Sequence, residues 1–315
     1  MTATSITTGR SLTVCIAALI NWAYPDKQIG RAVIAVADRM LTSGDVEYEP
    51  PQLKIAFLRK RIVALVAGDI ATHSEALTFT QRSLAGEPDD DVEAVAELCA
   101  KALRGIRRRR AANLFLEPLS LDEDTFLAKQ GKMLPQLVYD LTNQMQEYRL
   151  DVEALIVGCD DRNAAHIFHI DGTGIKTYQH DINFAAIGIG AEHAKSQFMF
   201  SRDPKVINYF RALPVLYTAK RRAEVAPGVG KDSDWLLITR DGWDFVHPSL
   251  IAELERAYGE FTAATQVKLA EVETRLVDAI SKATAAEAAT KAIADQTPAA
   301  TLDVDIPPDT SQPAL

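Results

Sequence analysis

Between Leu12 and Val66 the apolar positions fall into short runs, Leu12–Ile20, Ala32–Ala37, Leu53–Leu58 and Ile62–Val66. Turn-forming residues break them, with Tyr24-Pro25-Asp26 after the first and Arg59-Lys60-Arg61 between the last two. Runs of this length, rich in Val and Ile, predict a meander of buried antiparallel strands. Their nearly continuous apolar character implies that both faces of the sheet are covered. From Ala71 to about Leu84 and from Asp91 to about Ala112 the period changes, with Val92, Val95, Leu98, Ala102, Leu103 and Ile106 recurring at helical spacing. A further helix is expected from Asp122 to Tyr148, carrying Phe126, Leu127, Met133, Leu134, Leu137, Val138, Leu141 and Met145.

Strand patterning then returns in Val152–Val157, Ala164–Ile170, Gly174–Gln179 and Phe184–Ile187. Asp160-Asp161 and the hairpin signal Asp171-Gly172-Thr173-Gly174 punctuate these runs. Helices are expected over Ala191–Phe200 and Leu213–Ala223, followed by a strand at Trp235–Thr239. The order of strands, helices, strands, helices, strand fits a layered α+β domain with helices over the outer faces of stacked sheets. A doubly wound parallel sheet would need strict β-α-β alternation.

After Pro248 an apolar stripe of Leu250, Leu254, Tyr258, Phe261, Leu269, Val272, Leu276 and Ile280 continues into an Ala-, Glu-, Lys- and Thr-rich stretch. This predicts a long helix, on the order of 65 Å at 1.5 Å per residue. It is read as an appendage folded on the body or frayed at its far end, with a self-associating helix as the alternative; the stripe breaks at Thr265, and its steps of mostly four residues are not those of a heptad seam. The expected organisation is residues 1–10 as a propeptide, 11–247 as the body, 248–296 as the helix and 297–315 as a disordered tail rich in Pro, Thr and Asp.

Composition narrows the classes. The chain has 315 residues, 47% hydrophobic and 24% charged, with a formal net charge of −9. That balance gives no general attraction to nucleic-acid phosphates or anionic lipid, so neither nucleic acid nor membrane is expected as a partner. Three dispersed cysteines, Cys15, Cys99 and Cys159, form neither a disulfide framework nor a metal-ligand spacing, which points to a cytoplasmic protein. Arg10 before the run Leu12–Ile20 imitates a targeting signal, but the run has half the length needed to span a bilayer and reads as a strand. Of His166, His169 and Asp171 only the last two share a strand face, no third ligand is evident nearby, and a hairpin turn falls at Asp171-Gly172, so no metal site is expected. Arg107 to Arg110 is expected to be a solvated helix end or a subunit contact.

The chemistry-bearing pieces are Ser11-Leu12-Thr13-Val14, Ala37-Asp38-Arg39, Thr42-Ser43-Gly44, Leu53-Lys54-Ile55 and Val66-Ala67-Gly68-Asp69. In this order and spacing they resemble the proteasome β-subunit family and its bacterial relatives among the N-terminal nucleophile hydrolases. Ile156-Val157-Gly158-Cys159-Asp160, the Asp171 hairpin and Ala186-Ile187-Gly188-Ile189-Gly190 are similar to that family's second half.

The resemblance covers about residues 11–240 and implies an αββα four-layer sandwich, a homo-oligomer, whether a ring or another assembly, a peptide or unfolded-protein substrate, and neither cofactor nor metal. It gives the nucleophile position to Ser11, anchored on Thr13-Val14. It gives the supporting ion pair to Lys54 and Asp38, an oxyanion-binding N–H to Gly68, and the backbone that aligns a substrate peptide to Thr42 and Gly44. In this chemistry the free α-amine of the first residue is the general base, so residues 1–10 must be removed.

The chain departs from the family in four respects. Arg10 stands where self-processing members carry Gly, and the nucleophile is Ser where Thr is usual. Ile189 replaces a serine, and the hairpin between Ile20 and Arg31 is longer. Glu224 is the nearest candidate for a second supporting acid. Three readings follow from the resemblance: a peptidase, a non-catalytic shell or scaffold, and a small-molecule amidase.

Overall fold

The computed structural model describes residues 13–43, 46–48, 54–85, 91–160, 162, 164–201 and 207–296. The first strands are β1 (Cys15–Ala23), β2 (Ile29–Asp38), β3 (Leu41–Ser43), β4 (Val46–Tyr48), β5 (Ile55–Arg59) and β6 (Ile62–Gly68). Helices α1 (Ile70–Leu84), α2 (Val92–Phe115), α3 (Glu123–Lys129) and α4 (Pro135–Glu147) follow. Then come β7 (Val152–Cys159), β8 (Ala165–Ile170), β9 (Lys176–Tyr178), β10 (Phe184–Ile187), α5 (Ala191–Phe200), β11 (Ile207–Asn208), α6 (Tyr209–Ala223), β12 (Ser233–Thr239), β13 (Gly242–Phe245) and α7 (Pro248–Gln296).

One sheet has the order β10-β1-β2-β12-β13, antiparallel throughout, with β11 pairing parallel to β1. A second, wholly antiparallel sheet has the order β5-β6-β7-β8-β9, and β3 and β4 form a separate hairpin. Strand alternation sorts the continuous apolar runs into opposite faces. Cys15, Ala17 and Leu19 of β1 share a cluster with Val63 and Leu65 of β6 and with Leu155 and Val157 of β7, so the two sheets meet there. Their neighbours Ile16, Ala18 and Ile20 pack instead with Ala212, Leu213 and Leu216 of α6. On the second sheet, Ala64, Val66 and Ile156 pack with Val95, Cys99 and Leu103 of α2. Each run is apolar at every position because each strand face has its own core.

The single helix expected over Asp122–Tyr148 is two helices. Pro135 offers no N–H and forces Leu134 into an extended conformation (φ −60°, ψ 125°), so α3 ends in a 3₁₀ turn at Gln130–Lys132 and α4 starts afresh. Arg107 holds the far end of α4. Its guanidinium donates to the carbonyls of Tyr148 at 2.6 Å, Gln146 at 2.7 Å and Met145 at 3.2 Å. Arg108 pairs with Glu123, Arg109 with Glu75, and Arg110 bonds Thr72 Oγ1 at 2.6 Å, so the basic run braces helices against one another.

The chain divides into two units at Tyr258 and Gly259. The first unit includes the start of α7, because Leu250, Ile251, Leu254 and Tyr258 pack against the α6 core. Residues 1–10 and 297–315, with their expected propeptide and tail, lie outside the described residues. Among the described residues no helix is long and apolar enough to cross a membrane.

Candidate active site

The site forms where β1 begins and β2 ends. The hairpin register pairs Cys15 with Ala37, which sets Val14 beside Asp38; the Asp38 N–H donates to the Val14 carbonyl at 3.1 Å. Asp38 is fully buried, and it can be so because its carboxylate accepts five hydrogen bonds. Its Oδ1 accepts from the Val14 N–H at 2.9 Å, from Lys54 Nζ at 3.0 Å and from the Thr13 hydroxyl. Its Oδ2 accepts from the N–H groups of Gly230 at 3.0 Å and Met40 at 3.1 Å. Lys54, 8% exposed, also donates to Thr13 Oγ1 at 2.5 Å. Its carbonyl accepts from the Val66 N–H at 3.2 Å, which ties it to the strand that ends in Gly68.

Among the described residues, the hydroxyl that meets Lys54 and Asp38 is that of Thr13. Ser11 lies outside the described residues, as does Gly44. Thr42 has its backbone in β3. Gly68 sits at the β6–α1 junction with φ +112°, and a Cβ there would stand 2.2 Å from the Asp151 carbonyl oxygen. The glycine is thus required by the close approach of β7, beyond any requirement a substrate imposes.

The loop between β10 and α5 closes over the same point. The Gly190 N–H donates to the Thr13 carbonyl at 3.3 Å, and a Cβ on Gly188 would reach within 2.4 Å of that oxygen. The Gly188 N–H donates to Glu153 Oε2 at 3.0 Å, and His169 Nε2 lies 3.2 Å from Glu153 Oε1. Burial works against the charged form of Glu153, but these bonds outweigh it and hold the carboxyl below its ordinary value.

Lys220 of α6 is 2% exposed, with its ammonium on Glu224 and on the Lys231 carbonyl. Burial lowers its pKa against the opposing pull of Glu224 and, more weakly, Asp38. Glu224, the candidate second acid, is therefore engaged with Lys220 and Arg221. On α1, His73 has its Nδ1 buried without a hydrogen-bond partner. Burial depresses its pKa, Asp69 opposes that, and the charge of Lys54 adds to it.

Lys220, Glu153 and His73 escaped the sequence reading. The spacing of Lys220 and Glu224 by one helical turn is the signal that was present for the first; the other two carry no local signal. Cys15 is buried between the sheets, its thiol 3.5 Å from the Val66 carbonyl, and burial raises its pKa, so it is no thiolate nucleophile. Burial also pushes Cys99 up to about 11 and Cys159 up to about 12. Among the described residues no three His, Cys, Asp or Glu side chains gather as a metal site. His166 lies 3.1 Å from Asp160, while His169 turns to Glu153. No family model matches the chain, and no curated protein matches its sequence.

Proposed function

We propose that the chain is a proteasome-type N-terminal nucleophile hydrolase of αββα architecture, acting on peptide bonds, with Thr13 as its nucleophile position. The observation that carries this reading is the buried trio of Thr13 Oγ1, Lys54 Nζ and Asp38, with Lys54 2.5 Å from the hydroxyl and 3.0 Å from the carboxylate. In the uncut chain the nitrogen of Thr13 is an amide, which takes up no proton at neutral pH, so the trio is latent. Once Thr13 is the first residue, its hydroxyl oxygen attacks the substrate carbonyl while its α-amine takes the proton. That proton then passes to the departing amine, and water releases the acyl group from the ester. Lys54 beside the oxygen stabilises the developing negative charge, and Asp38 fixes the lysine. The Gly68 N–H keeps the oxyanion role that the resemblance implies, and Thr42 with Gly44 the substrate backbone. A cytoplasmic location and a ring of identical subunits belong to the same proposal.

One observation favours the scaffold reading as the alternative: Ile189 replaces a serine between two glycines that close on Thr13, so no hydroxyl there is available to bond a catalytic amine. The test compares peptide hydrolysis by the full chain, by a form beginning at Ser11 and by a form beginning at Thr13. Activity confined to the last is the expected result. Activity confined to the Ser11 form would move the nucleophile by two residues, and silence in all three would favour the scaffold.

A further inference from the structure

The exposed half of α7 carries an apolar stripe with a period of its own. Tyr258, Leu269 and Ile280 are each 11 positions apart, as are Leu250, Phe261 and Val272, and Leu254, Thr265 and Leu276. Steps of four, four and three thus repeat without interruption, and Thr265 is one member of the stripe where the sequence reading took it for a break. An 11-residue repeat gives 3.67 residues per turn, a pattern that keeps its seam along a helix only with a slight right-handed supercoil. Such a seam is suited to lie along another helix with the same repeat. Near its start the stripe is spent on the body, where Leu250, Leu254 and Tyr258 pack. Beyond that, Phe261 is 68% exposed, Leu269 50%, Leu276 57% and Ile280 64%.

We infer that this stripe is a docking surface for the same segment of a second copy of the chain, the two helices lying parallel and in register. The charges bordering the stripe choose that occupant and its direction. Advancing about 98° per residue, Lys268 falls on one flank of the stripe and Glu273 on the other. In a parallel pair each flank meets the opposite flank of the partner, displaced by five residues, which brings Lys268 of each helix, paired in the single chain with its neighbour Glu271 at 2.8 Å on the exposed surface, to Glu273 of the other. An antiparallel pair sets like flank against like flank and loses both ion pairs. The small residues Ala279 and Thr284 take the same two flank positions one repeat later and let the backbones approach. This inference does not depend on the catalytic reading.

The experiment is disulfide trapping in the full chain. The native cysteines are buried, so they do not compete. Leu276→Cys lies in the seam and meets its own counterpart in a parallel, in-register pair. Thr274→Cys lies on the opposite side of the helix. Mild oxidation should give a linked dimer with L276C and none with T274C. Equal linking of both, or linking of neither, would overturn the inference. By sedimentation equilibrium, Leu269→Glu with Leu276→Glu should halve the mass of the assembly without loss of body folding, and K268E should raise the dissociation constant on the order of fivefold at low salt. Adding E273K to K268E should restore it. A mass unchanged by the two glutamates, or a wild-type chain that is monomeric at micromolar concentration, would assign the stripe to some other partner.

Discussion

At the scale of single residues, removing the Lys54 ammonium should have two separable effects. Lys54→Ala leaves the buried Asp38 carboxylate without its hydrogen-bonded cation, and breaking a buried pair in this way costs about 3–5 kcal/mol. The backbone donors from Val14, Met40 and Gly230 remain, so the chain should still fold with a lower urea midpoint. In a form that begins at Thr13, hydrolysis should fall by about 10²-fold or more, since the same change strips charge from beside the attacking oxygen. Loss of stability with unchanged turnover would make the trio purely structural.

His73 supplies a pH prediction. Its folded pKa lies below the unfolded value of about 6.5, mainly through burial, so the unfolded chain binds the proton more readily. The stability tied to its neutral ring is complete above about 6.5 and is lost progressively as pH falls from there through the lower folded value. Thermal melts between pH 7.5 and 5.5 should show a drop that His73→Gln reduces; a wild type equally stable at both ends would contradict it. The sequence spoke clearly for Asp38 and Lys54, whose spacing carried the resemblance. It gave the nucleophile position to Ser11, which lies outside the described residues; residues two apart on a strand share a face, so a shift of two to Thr13 leaves every pattern intact. His73 was hidden for a different reason: a lone histidine on a helix tells nothing of which strand end it will pack against.

At the scale of elements, the junctions around the site depend on two glycines. Gly68→Ala would combine a strained φ of +112° with a Cβ 2.2 Å from the Asp151 carbonyl, and Gly188→Ala would drive a Cβ against the Thr13 carbonyl. Each should lower the melting temperature, with a loss of stability greater than the 1–3 kcal/mol or so that backbone strain alone costs. G188A should in addition impair a Thr13-initiated enzyme, because the displaced atom belongs to its first residue. Full activity in soluble G188A would place the glycine loop outside the site.

Arg107→Ala should free the C-terminal carbonyls of α4, costing about 1.5–3 kcal/mol locally, and hydrogen exchange should rise in residues 141–148 before the sheets respond. The longer strands were legible as short continuous apolar runs bounded by turn residues. Pro135 inside an otherwise helical pattern was overridden by the apolar periodicity on either side of it. The β3–β4 hairpin was missed since strands of three residues are too short to show a period. The β13 strand, Gly242–Phe245, is only four residues long, too short to show a period, and it is held by pairing with β12 and by Trp243 stacking on Phe57.

At the scale of the whole molecule, the two sheets, the helices over their outer faces and the long C-terminal helix follow from patterning that any solvent-excluded packing would impose. The site does not follow in the same way. It is assembled from β1, β2, the approach to β5, the end of β6 and the loops before α5 and β12, elements far apart in the chain, and only the finished topology brings Thr13 under Lys54. The apolar seam of α7 was visible as a stripe, but its period emerges only when Thr265 is counted as a member, which polarity argues against and helical geometry requires. The proposed catalysis and the inferred self-association therefore stand on separate observations and fail separately. The claim most exposed to contradiction is that Thr13 is the reacting residue once its amine is free. The direct measurement treats a Thr13-initiated form and a Ser11-initiated form with an electrophile that captures an N-terminal hydroxyl, and maps the adduct by peptide mass. An adduct on Thr13 in the first form, absent after Lys54→Ala and absent from the second form, is the predicted result; an adduct on Ser11, or on neither residue, would contradict it.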